Sequence, residues 1–277
     1  MRRITNMLLV VSVVLLVAAT VQASTYSDYV TGRTDDVAYY QFEETSGTSI
    51  ADSSGTYTAS TDLTLPGASI VGPRTVDGFG GLGTTNKAFT FDGGGTAETV
   101  TLPETLDTGW NQTSRTFSAM VKYASGSDVR LFEMDSTNDF AVQLWQFNST
   151  EGDIVIVQAG SVEKKFNVDG VLADNSWHHL TITHDASSIA LYVDGTSVTA
   201  AANNTLGPWS GKTNIGSGAG DPGSQNYAGG IDEVAFFSSA LSASEVTSLY
   251  NAAVPEPATM TLLGVGGLLA LVRRRRK

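Results

Sequence analysis

The segment Phe140-Ala-Val-Gln-Leu-Trp-Gln-Phe147 carries the side chains best suited to holding a ligand. A strand sends alternate side chains to opposite faces. Phe140, Val142 and Leu144 therefore share one face, and Ala141, Gln143, Trp145 and Phe147 the other. With the first set in a core, Gln143, Trp145 and Phe147 offer an aromatic platform with an amide beside it. Such a surface stacks on a sugar ring and hydrogen-bonds its hydroxyls, the pairing of apolar area with a few polar groups that marks specific sites. The alternative is that Trp145 and Phe147 pack beneath a loop. His178, His179 and His184 form a second candidate, because imidazoles bind zinc. His178 and His184 fall on one face of a single strand, but six positions span roughly 20 Å. That is too far to share an ion, so the histidines read as structural.

Those side chains need a rigid sheet behind them, and the sequence supplies one. Short runs with alternating or β-branched character recur: Val37–Phe42, Arg115–Tyr123, Phe140–Phe147, Asp153–Gln158, Trp177–His184 and Ile189–Val193. Gly, Asn, Asp and Ser separate them. Period-two patterning with frequent turn signals predicts an antiparallel β-sandwich or barrel. Asp194-Gly195 predicts a two-residue hairpin, since both central residues of a type I′ turn need positive φ. One helix stands out. Ser242 and Glu245 make a capping box, and Leu241 and Val246 a hydrophobic staple. Val246, Leu249 and Tyr250 then share an apolar face, expected to seal an end of the sandwich.

Both termini read as address signals. Met1-Arg2-Arg3, the apolar run from Met7 to Ala19 and the small-x-Ala end at Val21-Gln22-Ala23 predict a signal peptide over 1–23, cut after Ala23, the alternative being a retained membrane anchor. At the other end, Val254-Pro255-Glu256-Pro257 cannot continue a helix or sheet. Ala258 to Val272 is uncharged, and Arg273 to Lys277 are all basic. The positive-inside rule puts that basic cluster in the cytoplasm and the body across the membrane. A Pro-Glu-Pro triplet, a short apolar helix and an arginine cluster over 254–277 resemble the PEP-CTERM sorting signal. The resemblance implies recognition near Pro255, Glu256 and Pro257 by an exosortase-type membrane protease. Until then the C-terminal helix is a membrane anchor; the alternative is a plain anchor that is never processed.

Between these signals lies one domain, 24–253, with no cysteine. It rests on its core without disulfides. Seven of the 16 basic residues lie in the two ends, as does Glu256 among 28 acids, which leaves 9 basic against 27 acidic residues and a formal charge of −18. Such a surface repels phosphates and excludes nucleic-acid binding. It suits solubility and divalent cations, the alternative being a merely soluble acidic surface.

A series of motifs runs through the body in order. Val37-Ala-Tyr-Tyr-Gln-Phe-Glu-Glu-Thr-Ser-Gly47 is followed by Ala51-Asp-Ser-Ser-Gly55, Ala88-Phe-Thr-Phe-Asp-Gly93 and Thr116-Phe-Ser-Ala-Met-Val-Lys122. Asn175-Ser-Trp-His-His-Leu180, Leu191-Tyr-Val-Asp-Gly195, Gly229-Gly-Ile-Asp-Glu-Val-Ala-Phe-Phe237 and Ala240-Leu-Ser-Ala-Ser-Glu-Val246 complete it. The series resembles a laminin-G-like, concanavalin A-like jelly-roll domain. Tyr40 stands where Trp is usual, and the segment Phe91 to Val100 is longer than the usual turn. The resemblance implies an all-β sandwich of two antiparallel sheets, one convex and one concave. Members mostly bind carbohydrate or protein, and many hold a structural calcium ion. Glu43, Asp52 and Asp232 lie in the matched motifs and are the expected calcium ligands, hard oxygens for a hard cation. The alternative is that they are turn and strand-end acids bonded to nearby amides.

Related glycosidases of the laminarinase type carry Glu-x-Asp-x-x-Glu on one strand, aiming their acids into a groove. Here the nearest string is Glu133-Met-Asp-Ser-Thr-Asn138, and Asn138 cannot donate a proton. The expectation is therefore a non-catalytic, exported, surface-sorted protein. Its expected ligand is carbohydrate in extracellular polysaccharide. A structural or adhesive envelope protein is the alternative, and a glycoside hydrolase a third.

Overall fold

A computed structural model of the chain describes residues 25–254, apart from 45–48, 55–62, 65–77, 84, 94–99, 102–105, 107–109, 111–112, 124–128, 135–139, 147–152, 160–161, 173, 186–187, 205–213 and 217–225. The predicted signal peptide and the C-terminal tail lie outside the described residues. Among the described residues, no helix is long and apolar enough to cross a membrane.

Two antiparallel sheets face each other. The seven-stranded sheet contains β1 (Asp36–Tyr40), β4 (Phe89–Asp92), β6 (Ser114–Tyr123), β11 (Trp177–Asp185), β12 (Ser188–Val193), β13 (Thr196–Val198) and β16 (Ala228–Phe237). Its order is β1-β16-β6-β11-β12-β13, with β4 also pairing β16. The nine-stranded sheet contains β2 (Ser49–Ile50), β3 (Leu63–Thr64), β5 (Val100–Thr101), β7 (Val129–Met134), β8 (Phe140–Gln146), β9 (Asp153–Ala159), β10 (Val162–Asn167), β14 (Ala200–Asn204) and β15 (Asn214–Ile215). It runs β14-β10-β9-β8-β7-β15-β5-β3-β2.

The core between the sheets follows the predicted alternation. Phe140, Val142 and Leu144 of β8 meet Val155 and Val157 of β9, with Phe117, Ala119 and Val121 of β6 opposite. Phe117 and Phe132 stack across the gap at 4.9 Å between centroids. Trp110 fits against Phe132, Phe140 and Phe236, and donates its indole N–H to the Phe237 carbonyl at 2.8 Å. A buried indole usually finds such a partner, because an N–H left unpaired keeps its full desolvation penalty.

The predicted hairpin is present. Val193 pairs with Thr196, and Asp194 and Gly195 both take positive φ, 51° and 71°. The capping box on α2 (Ala243–Ala253) is also present, with Ser242 and Glu245 bonded reciprocally. The position of this helix differs from expectation. It does not seal an end of the sandwich. Val246, Leu249 and Ala253 lie against Tyr39, Met120, Ala235 and Phe237, which point out of the seven-stranded sheet on the side away from the core. The central strands β6 and β16 are thus buried on both faces, which is why they read as near-continuous rather than alternating runs. A second helix, α1 (Thr25–Thr31), lies beside α2 and buries Tyr26 and Val30 in the same cluster. Seven residues without a capping signal left it invisible to pattern reading. Arg33 fastens the pair, donating to Asp35 at 2.7 Å and to Glu245 at 3.0 Å.

Candidate functional site

The outer face of the nine-stranded sheet carries an ordered set of polar side chains. One rung crosses the sheet through Asn214, Glu133, Ala141, Gln158 and Glu163 on β15, β7, β8, β9 and β10. The next runs through Arg130, Gln143, Ile156 and Lys165. A register shift in β7 between Arg130 and Phe132 makes this possible. The bulge sends both Leu131 and Phe132 into the core, and so turns Arg130 and Glu133 together onto the outer face. Arg130 donates from Nη1 to Gln143 Oε1 at 2.8 Å, and its Nε lies 3.6 Å from Glu133 Oε2. Arg130, Gln143 and Glu133 are 4%, 1% and 6% exposed. Lys165 approaches Glu163 at 3.9 Å. Among the described residues each charge on this floor is matched by an opposite one, on a body of strongly negative formal charge.

Gln143 therefore stands on the outer face, as the alternation predicted. Trp145 takes its place in β8 opposite Ile154. Its side chain, and Phe147 altogether, lie outside the described residues. Arg130 was not legible as a site residue, because a strict two-residue period would have grouped it with Phe132. Glu133 of the glycosidase-like string reaches this floor, while Asp135 and Asn138 lie outside the described residues.

The expected calcium ligands occupy three different settings. Asp52 accepts the amides of Tyr39 and Ser54 at Oδ1, both at 2.9 Å, the role of a turn acid. Glu43 is exposed and accepts the Lys87 amide at 2.9 Å. Asp232 is fully buried, accepting from Asn86 Nδ2 at 2.7 Å and from the Glu233 amide at 2.9 Å. Its neighbour Glu233, at φ 51° in a β-bulge of β16, is also buried and accepts the Tyr39 hydroxyl. Burial first, and then the charge of Glu233, hold the Asp232 carboxyl well above the ordinary range. Burial raises Glu233 likewise, and Glu43 adds to the effect on both. Among the described residues neither buried acid forms an ion pair, and no group of three acids or histidines is gathered to hold a metal. A Cβ at Gly78 would press on Asn86 Nδ2 and lie 2.7 Å from Asp232 Oδ2, so a larger residue there would have to displace this buried pair.

The histidines are placed structurally. His178 is clamped between Asp194 (Nδ1, 2.8 Å) and Asp174 (Nε2, 3.1 Å). The Asp194 hydrogen bond leads in raising its pKa. His179 lies buried beneath α2, bonded to Ser118 Oγ at 2.8 Å and stacked near Tyr250. Burial pushes it down to about 4. His184 is buried on β11.

Comparison with known proteins agrees with this architecture. Residues 92–247 match the concanavalin A-like lectin/glucanases superfamily, and residues 253–277 match the PEP-CTERM protein-sorting motif, which marks an exported protein of the cell envelope. No curated protein matches the sequence. Among solved structures, Domain 4 of AbnA, an extracellular arabinanase from Geobacillus stearothermophilus solved with arabinotriose, is similar at 19% identity and a TM-score of 0.51, over 78% of this chain and 98% of that one. The binding domain of Paraclostridial Mosquitocidal Protein 1 is similar at 15% and 0.52, over 78% of this chain. The binding domain of botulinum neurotoxin serotype D/C is similar at 12% and 0.54, over 82% of this chain. The matched region spans about half of each toxin domain, 52% and 53%. At these identities the likeness is one of fold. The chain belongs to the concanavalin A-like lectin/glucanases superfamily and carries a PEP-CTERM sorting motif at its C-terminus.

Proposed function

We propose that this is a surface-sorted carbohydrate-binding protein that holds an extracellular polysaccharide of uncharged sugars on the outer face of its nine-stranded sheet. The observation that carries the reading is the charge-balanced floor of Arg130, Glu133, Gln143 and Asn214. These side chains are buried, so they act by fixing β7 and β8 beneath a ligand, and a locally neutral floor on an acidic body disfavours an anionic chain. The sequence alternation along β8 adds Trp145 as a stacking surface beside Gln143. The same fold holds arabinotriose in the arabinanase domain. The role is binding rather than hydrolysis, because Glu133 is engaged by Arg130 and Asn138 stands where a second acid would be needed. A glycan array probed with the exported protein tests this. Hits confined to neutral polysaccharides support it. A folded protein with no hits favours the structural or adhesive alternative, and release of reducing ends would point to a hydrolase.

A structural calcium ion belongs to the same proposal. Two adjacent buried carboxyls with no cationic partner among the described residues are the feature that fits it, since a bound divalent ion would offset their repulsion. Asp232 would hold the ion. Glu43, whose charge acts on both buried acids, is the expected partner that couples to them. Asp52 Oδ1 is committed to backbone amides and would serve by shaping the turn.

A further inference from the structure

The sorting motif begins inside the folded domain. Ala253, the first residue of the matched motif, is 1% exposed and belongs to the cluster beneath the two helices. The Val254 amide closes the last turn of α2 on the Tyr250 carbonyl at 3.2 Å. The Ala253 carbonyl is walled off by Gly81, where an added Cβ would lie only 2.1 Å from that oxygen. At its other end α2 is pinned to the N-terminal segment by Arg33 and by the Tyr29 hydroxyl on the Glu245 carbonyl, 3.3 Å. No bond up to Val254 can enter a protease cleft while the domain stays folded.

A processing enzyme needs extended backbone on both sides of the bond it cuts. The Val254–Pro255 and Glu256–Pro257 bonds are X–Pro amides, without the N–H through which a bound strand is gripped. In the sequence a single residue, Pro255, separates the Pro255–Glu256 bond from Val254, the last residue held by α2. We infer that the folded α1–α2 clasp confines cleavage to bonds C-terminal of Pro257, so that Pro255, Glu256 and Pro257 remain on the mature protein as the spacer between domain and cut. At that bond the acyl carbon passes to water or to an acceptor hydroxyl or amine. The departing amine takes up a proton and stays with the apolar tail. The inference rests on the sorting reading of the tail and adds where the cut falls and why.

The test is mass spectrometry of the C-terminal peptide from the full chain expressed and processed in an exosortase-bearing host. The expected mature end includes Pro257 and lacks Arg273 to Lys277. An end at or before Glu256 overturns the inference while leaving sorting intact. An uncut Lys277 end removes the sorting reading and the inference with it. A second variant inserts about six Gly/Ser residues between Val254 and Pro255, moving the site away from the wall. Its processing rate should rise by about threefold or more, because the site then samples the membrane enzyme more freely. An unchanged rate would show that the folded domain sets no limit, and would overturn the inference.

Discussion

Arg130 and Gln143 are joined across β7 and β8 by a 2.8 Å hydrogen bond on a face where neither side chain is more than 4% exposed. The bond depends on the bulge at Leu131, which frees Arg130 from the core side of the strand. The same guanidinium approaches Glu133. Replacing Arg130 by Ala removes the guanidinium beside the buried Glu133 carboxylate, a change that costs about 3 kcal/mol. Urea unfolding should show that loss. The double variant Arg130→Met, Glu133→Leu should recover much of it, because removing both charges removes the penalty. A single variant as stable as wild type would mean that the pair does not organise this face.

His178 supplies a pH-dependent term of defined sign. Its folded pKa is raised by Asp194 and Asp174, so its stabilisation is complete below the unfolded value and fades as pH rises through the folded one. His178→Ala should cost roughly 1–2 kcal/mol at pH 5.5 and clearly less at pH 9. Equal losses at both values, measured by thermal or urea unfolding, would refute the clamp.

His179 has the opposite sign. Its folded pKa lies at about 4, so the folded state binds fewer protons than the unfolded one between there and the ordinary histidine value. Stability from this group falls as pH drops through that window, by on the order of 3 kcal/mol when complete. His179→Gln should flatten the wild-type decline between pH 6.5 and 4.5. A variant that declines in parallel with wild type would show that the ring is not held neutral beneath α2.

Asp232 and Glu233 titrate late in the folded chain. The folded state then holds more protons than the unfolded one above the ordinary carboxylate range, so stability falls as pH rises there. A calcium ion seated on Asp232 would counter that fall. Thermal unfolding at pH 7.5 should shift upward by roughly 3 °C or more with calcium relative to chelator. Asp232→Asn should abolish the shift. Identical curves with and without calcium would reject the metal.

Much of this architecture is legible in residue types alone. Asp194-Gly195 needs two positive-φ positions, and Ser242 with Glu245 satisfies reciprocal amides, so both signals are local and both appear as written. The helix layer was not legible. It depends on Tyr39, Met120 and Phe237 turning outward to meet Tyr26, Val246 and Leu249 from distant parts of the chain. The binding face was half legible. Gln143 follows simple alternation, whereas Arg130 reaches the face only through a bulge that no period reveals. For Asp52, the motif pointed to a metal ligand, and the Tyr39 and Ser54 amides occupy Oδ1.

The most direct measurement is calorimetric titration of the exported protein with the neutral polysaccharide that gives the strongest array signal. Gln143→Ala and Trp145→Ala, each with wild-type unfolding behaviour, should bind at least about tenfold more weakly, a loss of roughly 1.4 kcal/mol. Both variants binding as tightly as wild type would contradict a sugar-holding floor on the outer face of the nine-stranded sheet.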